Sequence, residues 1–300
     1  MAVEAVIFQQ IVDINWDQAI YTASPNNTIN VAQFAAKGDG ANIGIALTPK
    51  GTGYISARVP DGTIGNGNAR GPHAVDLQLR RDFTAGNVAS GSYSALIGGY
   101  NSTASGEGSL SGMRSNNAAG TYSIALGAVS VATDYTATAI GDACSAGAAV
   151  TLATGGIGNA YLRGMRAHGC GRYPQEVAIF AVGVTTSDAQ VILKLPTNGA
   201  NLTVRSNYYI NGILQINGSK TDGSATACYT RQVRIRRVAN NTTLLSASSV
   251  IGADDAAGTA ITVTANNSTE SLDIGVAGIA GETWHWSAML HGLESALANL

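Results

Sequence analysis

The sequence is short of charge and of proline. Asp, Glu, Lys and Arg make up 12% of its 300 residues, about half of the share that is usual in a soluble domain. A disordered chain is excluded, because disorder needs much charge and few apolar groups. A helix-rich enzyme is disfavoured, because helices draw on Glu, Lys, Arg and Leu. The net charge of −2 gives no electrostatic reason to expect a nucleic-acid partner.

Long apolar runs and a cysteine pattern are also missing. No stretch reaches about 18 uninterrupted apolar residues, so we expect no membrane insertion. The N-terminal MAVEAVIFQQIVDINW has no basic region and no long apolar run, so we expect no signal peptide. Cys144, Cys170 and Cys228 have no metal-ligand spacing, and they are expected to be free thiols of a protein made in a reducing cytoplasm. We expect no metal and no cofactor.

Glycine, by contrast, is abundant, with 37 residues among many Val, Ile, Thr and Tyr. This composition favours strands and tight turns over helices. The sequence therefore predicts an all-β protein.

Small residues recur with a fixed period between residues 91 and 160. Five alanines are spaced by 14 residues throughout, namely Ala104, Ala118, Ala132, Ala146 and Ala160. Five glycines are spaced by 14, 15, 14 and 14, namely Gly98, Gly112, Gly127, Gly141 and Gly155. A unit of this length suits one rung of a stacked β-structure with two short strands and two turns. We expect the alanines in a narrow interior and the glycines at sharp turns with positive φ.

The rungs are nearly free of charge, since residues 91–160 carry only Glu107, Arg114, Asp134 and Asp142. Stacked like charges would repel along a column, and each rung must bury its apolar face against its neighbours. The second rung, GSLSGMRSNNAAG, departs from the pattern, and its strand is the least certain.

The phrases YSIALG and TATAIG, each followed by a small-residue arm, resemble the head repeats of trimeric autotransporter adhesins. The resemblance covers about residues 91–160 and implies a left-handed parallel β-roll with three chains side by side. An export signal and a C-terminal membrane anchor of that family are not seen.

A longer and more ordered resemblance lies upstream, in residues 45–82. Leu47–Gly53 (LTPKGTG), then Arg70-Gly71 and Ala74-Val75-Asp76-Leu77-Gln78, lead directly into ASGSYSALIGGYNSTASG. This order is similar to a segment of bacteriophage tail-fibre proteins. The resemblance implies a homotrimeric fibre of the virion.

Beyond residue 173 the composition changes to eight strand-like segments separated by Gly, Asn and Asp turns. This spacing predicts an antiparallel β-sandwich. The ending GETWHW at 281–286 resembles the last strand of C-terminal sandwich domains on phage fibres. We therefore divide the chain into a virion-attachment segment (1–40), a β-rich connector (41–90), the β-roll (91–172) and a receptor-binding sandwich (173–300).

Four residues are candidates for receptor contact. Arg234 and Arg236 alternate with apolar residues and share one strand face, which is solvated, contacts a neighbouring chain or binds an anionic surface glycan. Trp284 and Trp286 also share a face, which is either core or a platform for a sugar ring. The adjacent Asp254 and Asp255 favour a turn, and the four histidines are scattered, so we expect no catalysis.

The sequence thus favours a structural phage tail fibre that attaches the virion to a host-cell glycan or protein and joins a tail or baseplate protein through its N-terminus. A capsid-bound head fibre or decoration protein is the first alternative. A glycan-depolymerising tailspike and a cellular trimeric adhesin are the others.

Overall fold

The computed structural model describes residues 20–21, 31–32, 46–171, 174–196, 198–245, 248–255 and 258–297. The chain divides into two units, residues 1–50 and 51–300. In the first unit, β1 (Ile20–Tyr21) pairs antiparallel with β2 (Val31–Ala32). The rest of the attachment segment expected at 1–40 lies outside the described residues. Throughout the described ranges the regular structure is β-strand, without helices, which confirms the all-β class.

The second unit begins with a parallel β-solenoid, built from a long and a short sheet. The long sheet contains β3 (Ile55–Ser56), β4 (Val75–Asp76), β5 (Ala95–Tyr100), β7 (Leu110–Arg114), β9 (Ile124–Ala128), β11 (Thr138–Asp142), β13 (Leu152–Gly156) and β15 (Arg166–Cys170). The short sheet contains β6 (Thr103–Ala104), β8 (Asn117–Ala118), β10 (Val131–Ala132), β12 (Ser145–Ala146) and β14 (Asn159–Ala160). The uncertain second rung does form a strand, β7.

The interior of the solenoid is a set of columns of small side chains. Ala132 pairs in parallel register with Ala118 and Ala146, and the column runs from Ala104 to Ala160. All five alanines of this column are 0% exposed. Facing them, the buried positions of the long strands hold Ser111, Ala125, Ala139 and Ala153. From β7 to β13 the facing positions therefore hold only small side chains, whereas at the first rung the fully buried Leu96 takes this position.

A ladder of side-chain hydrogen bonds runs through the same interior. The backbone N–H of Asn116 donates to Ser102 Oγ (3.2 Å), that of Ser130 to Asn116 Oδ1 (2.7 Å), and that of Cys144 to Ser130 Oγ (3.3 Å). Each rung thus supplies the acceptor for the next one. Burial raises the pKa of the Cys144 thiol, and all three cysteines are free.

Glycine is required where successive rungs approach most closely. Gly127, Gly141 and Gly155 lie opposite one another, with φ values of 110°, 139° and 82°. A Cβ atom at Gly141 would lie 1.9 Å from the carbonyl oxygen of Gly155. Glycine suits such a position, because its backbone adopts positive φ at low cost and it has no Cβ.

Gly98 and Gly112 do not belong to that column, which corrects the expected glycine register. Gly112 pairs with Ile97, and the register shifts between Ile97 and Tyr100. Gly98 lies within this shift, where its Cβ position faces open space. At the second rung the positive φ, 68°, falls on Met113 instead. The 15-residue step from Gly112 to Gly127 does not arise from this shift, because β7 and β9 pair at a constant offset of 14 residues.

The long sheet continues beyond the solenoid with antiparallel strands. They are β16 (Gln175–Thr185), β25 (Trp284–Ala296), β19 (Tyr208–Lys220), β20 (Thr226–Val238) and β21 (Asn241–Leu244), with β22 (Ser249–Val250) beside β20. A separate antiparallel sheet contains β17 (Val191–Ile192), β18 (Leu202–Thr203), β23 (Ala260–Asn266) and β24 (Ser271–Ala277). Buried residues of both sheets, such as Leu214 and Ile274, belong to one hydrophobic cluster.

The solenoid and the C-terminal strands share a sheet, which the sequence did not indicate. β15 pairs antiparallel with β16, from Arg166 opposite Ala178 to Gly169 opposite Gln175. Interior alanines of the solenoid and the C-terminal core form the same cluster. The two regions are therefore continuous in hydrogen bonding and in core.

A buried polar cluster lies at this join. Glu294 is 0% exposed and accepts hydrogen bonds from Tyr161 Oη (2.7 Å) and from Gln175 Nε2. Arg205 Nη1 lies 3.5 Å from its carboxylate. Burial raises the pKa of Glu294, against the opposing effect of these partners. Burial likewise raises the pKa of Tyr161 well above its usual value, and the charge of Glu294 adds to the shift.

The closed interior predicts that substitutions at two neighbouring residues differ sharply in their effect on stability. Ala132→Arg places an unpaired charge in the narrow interior, and we expect it to destabilise the fold by several kcal/mol. Thr133→Arg is the matched control, because Thr133 is exposed. Soluble yield and thermal melting should fall for the first variant and stay near wild type for the second. Equal melting temperatures would show that Ala132 does not occupy a closed interior.

The raised pKa of Glu294 predicts a pH-dependent stability. Its ionisation is disfavoured in the fold, so its stabilising contribution is fully present below the unfolded pKa of 4.5 and is lost as pH rises through the folded pKa. Relative to Glu294→Gln, the wild-type free energy of unfolding should therefore fall above pH 4.5, by at most about 1.4 kcal/mol per pH unit, and then level off. Urea unfolding of both proteins across pH measures this difference. A difference that grows with pH would contradict the assignment.

Candidate functional site

The outward-facing side of the long sheet changes character along its length. Over the solenoid it presents apolar side chains in two rows, namely Ile97, Leu110, Ile124, Leu126, Ile140 and Leu152, which we call the apolar face. Ile97 and Ile140 are 52% and 42% exposed. These six positions are partly or fully open to solvent in the single chain, and none carries a charge. Apolar side chains grouped on an open sheet face are a candidate interaction surface.

At β15 the same side becomes polar and concave. A groove with a volume of about 390 Å³ lies across β13, β15, β16 and β25, and we call it the junction groove. Its lining residues are Leu152, Thr154, Arg166, Ala167, His168, Glu176, Val177, Ala178, Phe180, Met289 and His291. Its size is in the range of small-molecule sites.

The register of the strands brings the charged groups of the groove together. Ala178 lies opposite Arg166 on one side and His291 on the other, and His168 lies opposite Glu176. Glu176 Oε1 lies 2.6 Å from His291 Nε2, and both side chains are about half exposed. Since strands are spaced by about 4.8 Å, Arg166 and His291 flank the small Ala178 at about 10 Å from one another.

The groove thus combines hydrogen-bonding groups with apolar walls. His168 Nδ1 lies 2.9 Å from Thr154 Oγ1, which restrains its ring. Phe180 and Met289 supply apolar surface, and Arg166 supplies an exposed cation. This combination suits a polar ligand with apolar patches, such as a sugar ring beside an anionic group.

Arg234 and Arg236 lie on the same side of the sheet, on β20. Both are exposed, and within the described residues neither makes an ion pair or a side-chain hydrogen bond. They lie opposite Asn211 and Tyr209 of β19. The expectation that two arginines share a solvent-facing surface therefore agrees with the geometry, and their receptor role stays a prediction.

The other two arginines of this basic run are structural. Arg231 makes a bidentate pair with Asp254, with Nη1–Oδ1 at 2.5 Å and Nη2–Oδ2 at 2.7 Å. Its hydrogen bond lowers the pKa of Asp254. Arg237 pairs with Glu270 and donates to the Val204 carbonyl oxygen. The acidic residue Asp254 thus holds the loop before β23 against β20.

Trp284 and Trp286 are core residues, which corrects their candidacy for receptor contact. They are 0% and 3% exposed, and their rings stack with centroids 5.8 Å apart. Trp286 Nε1 donates to Thr185 Oγ1 (3.0 Å), and Trp284 Nε1 donates to Glu282 (3.0 Å). A sugar platform needs an exposed ring face, which neither tryptophan has in the folded chain.

The groove residues escaped the sequence analysis because they are far apart in the chain. His168 and His291 are far apart in the sequence, and Arg166 and Glu176 belong to no motif. Only the alternation of β16 and β25, with outward residues at every second position, could have placed them on one side. Among the described residues, no three His, Cys, Asp or Glu side chains cluster as a metal site would require. No helix that could cross a membrane occurs in the described ranges.

Comparisons with known proteins show no family match and only weak structural similarity. No protein-family model matches the sequence, and no curated protein matches it. Tailspike gp49 of Acinetobacter baumannii bacteriophage Fri1, a capsular polysaccharide depolymerase, is 9% identical over 73% of this chain and 44% of its own, with a TM-score of 0.25. The Acinetobacter phage vB_ApiP_P1 tailspike is 8% identical over 74% of this chain and 53% of its own, with a TM-score of 0.18. The chain spans about half the length of these structures, and at such scores the overlaps carry no conclusion about fold or function.

Proposed function

We propose that this chain is a structural fibre protein of a bacteriophage virion, which attaches the particle to a host-cell surface glycan and has no catalytic role. In this proposal the solenoid is a left-handed roll of 14-residue rungs, three copies pack side by side, and the C-terminal strands form a receptor-binding sandwich. The segment resembling tail-fibre proteins, at 45–82, supports the placement in the virion.

The observation that carries the proposal is the change along one side of the long sheet. The apolar face has no charge and is open in the single chain, whereas the junction groove and the arginines of β20 hold exposed hydrogen-bonding groups. The first half suits self-association, because apolar area removed from water stabilises it by about 25 cal/mol per Å². The second half suits a charged, hydroxyl-rich ligand. The number of copies, three, comes from the family resemblance.

An anionic glycan fits the charge of the polar half. Arg166, Arg234 and Arg236 are exposed there, and guanidinium groups bind carboxylate and phosphate groups in planar, bidentate geometry. Three copies on one fibre would add avidity, so that each site can bind weakly.

The junction groove is poorly equipped for glycoside hydrolysis, the chemistry of the tailspike alternative. That reaction usually needs two carboxylates flanking the scissile bond, about 5–9.5 Å apart. Of the described lining residues, Glu176 is the one carboxylate, and it is paired with His291. This favours binding over cleavage.

The proposal also includes the position of the fibre on the virion. We place the fibre on the tail, with residues 1–40 joining a tail or baseplate protein. A capsid-bound head fibre would have the same architecture, and a reconstruction of the particle that locates the chain distinguishes the two.

The proposed self-association through the apolar face predicts the effect of introducing one charge there. Ile140→Arg should dissociate the trimer without unfolding the chain, because Ile140 is 42% exposed on the sheet face in the single chain. Ile157→Arg is the matched control, since Ile157 is 44% exposed but lies at the turn after β13. Native mass measurement should show trimers for wild type and control, and smaller species for Ile140→Arg. A monomeric wild type would refute the assembly.

The proposed glycan binding predicts that the protein binds acidic bacterial surface polysaccharides in a salt-sensitive way. Arg234→Ala with Arg236→Ala should weaken binding at least about tenfold, and added salt should weaken the wild type. Arg114→Ala controls for loss of an exposed arginine elsewhere. The full chain should be used, because β16 pairs with β15 of the solenoid. Unchanged binding in the double variant would exclude the arginines, and new reducing ends in the polysaccharide would establish the depolymerase alternative.

A further inference from the structure

A buried cluster of charges lies at the start of the long sheet. Asp76, on β4, accepts hydrogen bonds at one oxygen, Oδ2, from Arg70 Nε and from Arg81 Nη2, both at 2.7 Å. The side chains of all three residues are 0% exposed. Asp76 Oδ1 accepts from the backbone N–H of Gln78 (3.0 Å). Two guanidinium groups therefore converge on a single carboxylate.

Each guanidinium group has one nitrogen for which the described chain supplies no acceptor. Arg70 Nη1 donates to the Asn68 carbonyl oxygen (2.7 Å), and Arg81 Nε donates to that of Asn87 (2.7 Å). Arg70 Nη2 and Arg81 Nη1 are buried and have no hydrogen-bond partner among the described residues. Buried polar groups without a partner are uncommon in folded proteins, and each one needs an explanation.

The charge of the cluster is unbalanced as well. Two buried cations face one buried anion, which leaves one positive charge without a counter-ion among the residues that the structure describes. Burial lowers the pKa of Arg81, and the neighbouring Arg70 adds to this shift. A buried charge in a protein is normally paired, because desolvation without compensation is costly.

We propose that a small inorganic anion of the size of chloride binds between Arg70 Nη2 and Arg81 Nη1, against the Asp76 ion pair. It would accept a hydrogen bond from each of these two nitrogens and neutralise the excess charge. A water molecule could accept the hydrogen bonds but would leave the charge unbalanced. The proposal gives a role to the Arg-Gly and Ala-Val-Asp-x-Gln elements of residues 70–78, and it is independent of the proposed function.

Crystals of the full-length protein soaked in sodium bromide provide the direct test. We expect an anomalous peak at hydrogen-bond distance from both nitrogens. In solution, the melting temperature should rise by about 2–3 °C per tenfold increase of chloride above its dissociation constant, at ionic strength kept constant with sodium gluconate, whose anion is too large for the site.

A pair of adjacent arginines supplies the control. Arg81→Met removes the excess charge and one free donor, and should abolish the chloride dependence. Arg80→Met removes an arginine that is 71% exposed and paired with Asp82, and this variant should keep the chloride dependence. An equal chloride response in both variants, or the lack of a bromide peak in the wild type, overturns the proposal. The bromide result stands even if Arg81→Met fails to fold.

Discussion

The narrow gap between the two solenoid sheets is the constraint on which the rest of the structure depends. Strands that stack in parallel are spaced by about 4.8 Å, so each interior position faces its equivalents above and below. Alanine and serine fill these columns, and Gly127, Gly141 and Gly155 occur where a Cβ atom would collide with the next rung. With so little apolar volume per rung, stability comes from the repetition of the same contacts, as in other repeat proteins.

A stack of this kind leaves two open ends, and both are closed by polar side chains. At the first end, Gln78 accepts from the Ser102 N–H (2.7 Å) and donates to the Asn87 carbonyl oxygen (2.7 Å). At the other end, Gln175 accepts from the Asn159 N–H (2.8 Å) and donates to its carbonyl oxygen (3.1 Å). In each case a glutamine amide forms hydrogen bonds at one end of the short sheet, while the long sheet continues with β4 and β3 on one side and with β16 on the other. Buried ionisable groups, Asp76 and Glu294, lie beside these glutamines, so both ends of the solenoid combine closure with buried charge.

Local periodicity was sufficient to predict the solenoid but not its connections. The fourteen-residue spacing of Ala104 to Ala160 led directly to an interior column, since parallel stacking puts equivalent residues in contact. The glycine spacing misled at Gly112, because β7 pairs with β9 at a constant offset of 14 residues, which places Met113 instead of Gly112 level with Gly127. The junction groove depends on β16 pairing with β15 and with β25, which is more than one hundred residues further on. Alternation alone could not tell which face of the Trp284 strand would be covered.

The separation of inward from outward residues explains where function can reside. Inward side chains fix the register, and the interior allows almost no change in their size. Outward side chains of the same strands are not constrained in this way. Over the solenoid the outward residues are repeated with the rungs, so they form a uniform surface that suits contact with an identical copy. Where β15 meets β16 the strand direction reverses and the repetition stops, so residues such as His168, Glu176 and His291 can differ from one another and converge. Under the proposed function, a specific site would therefore lie at this break in the repeat, with selective recognition beside the solenoid and self-association along it.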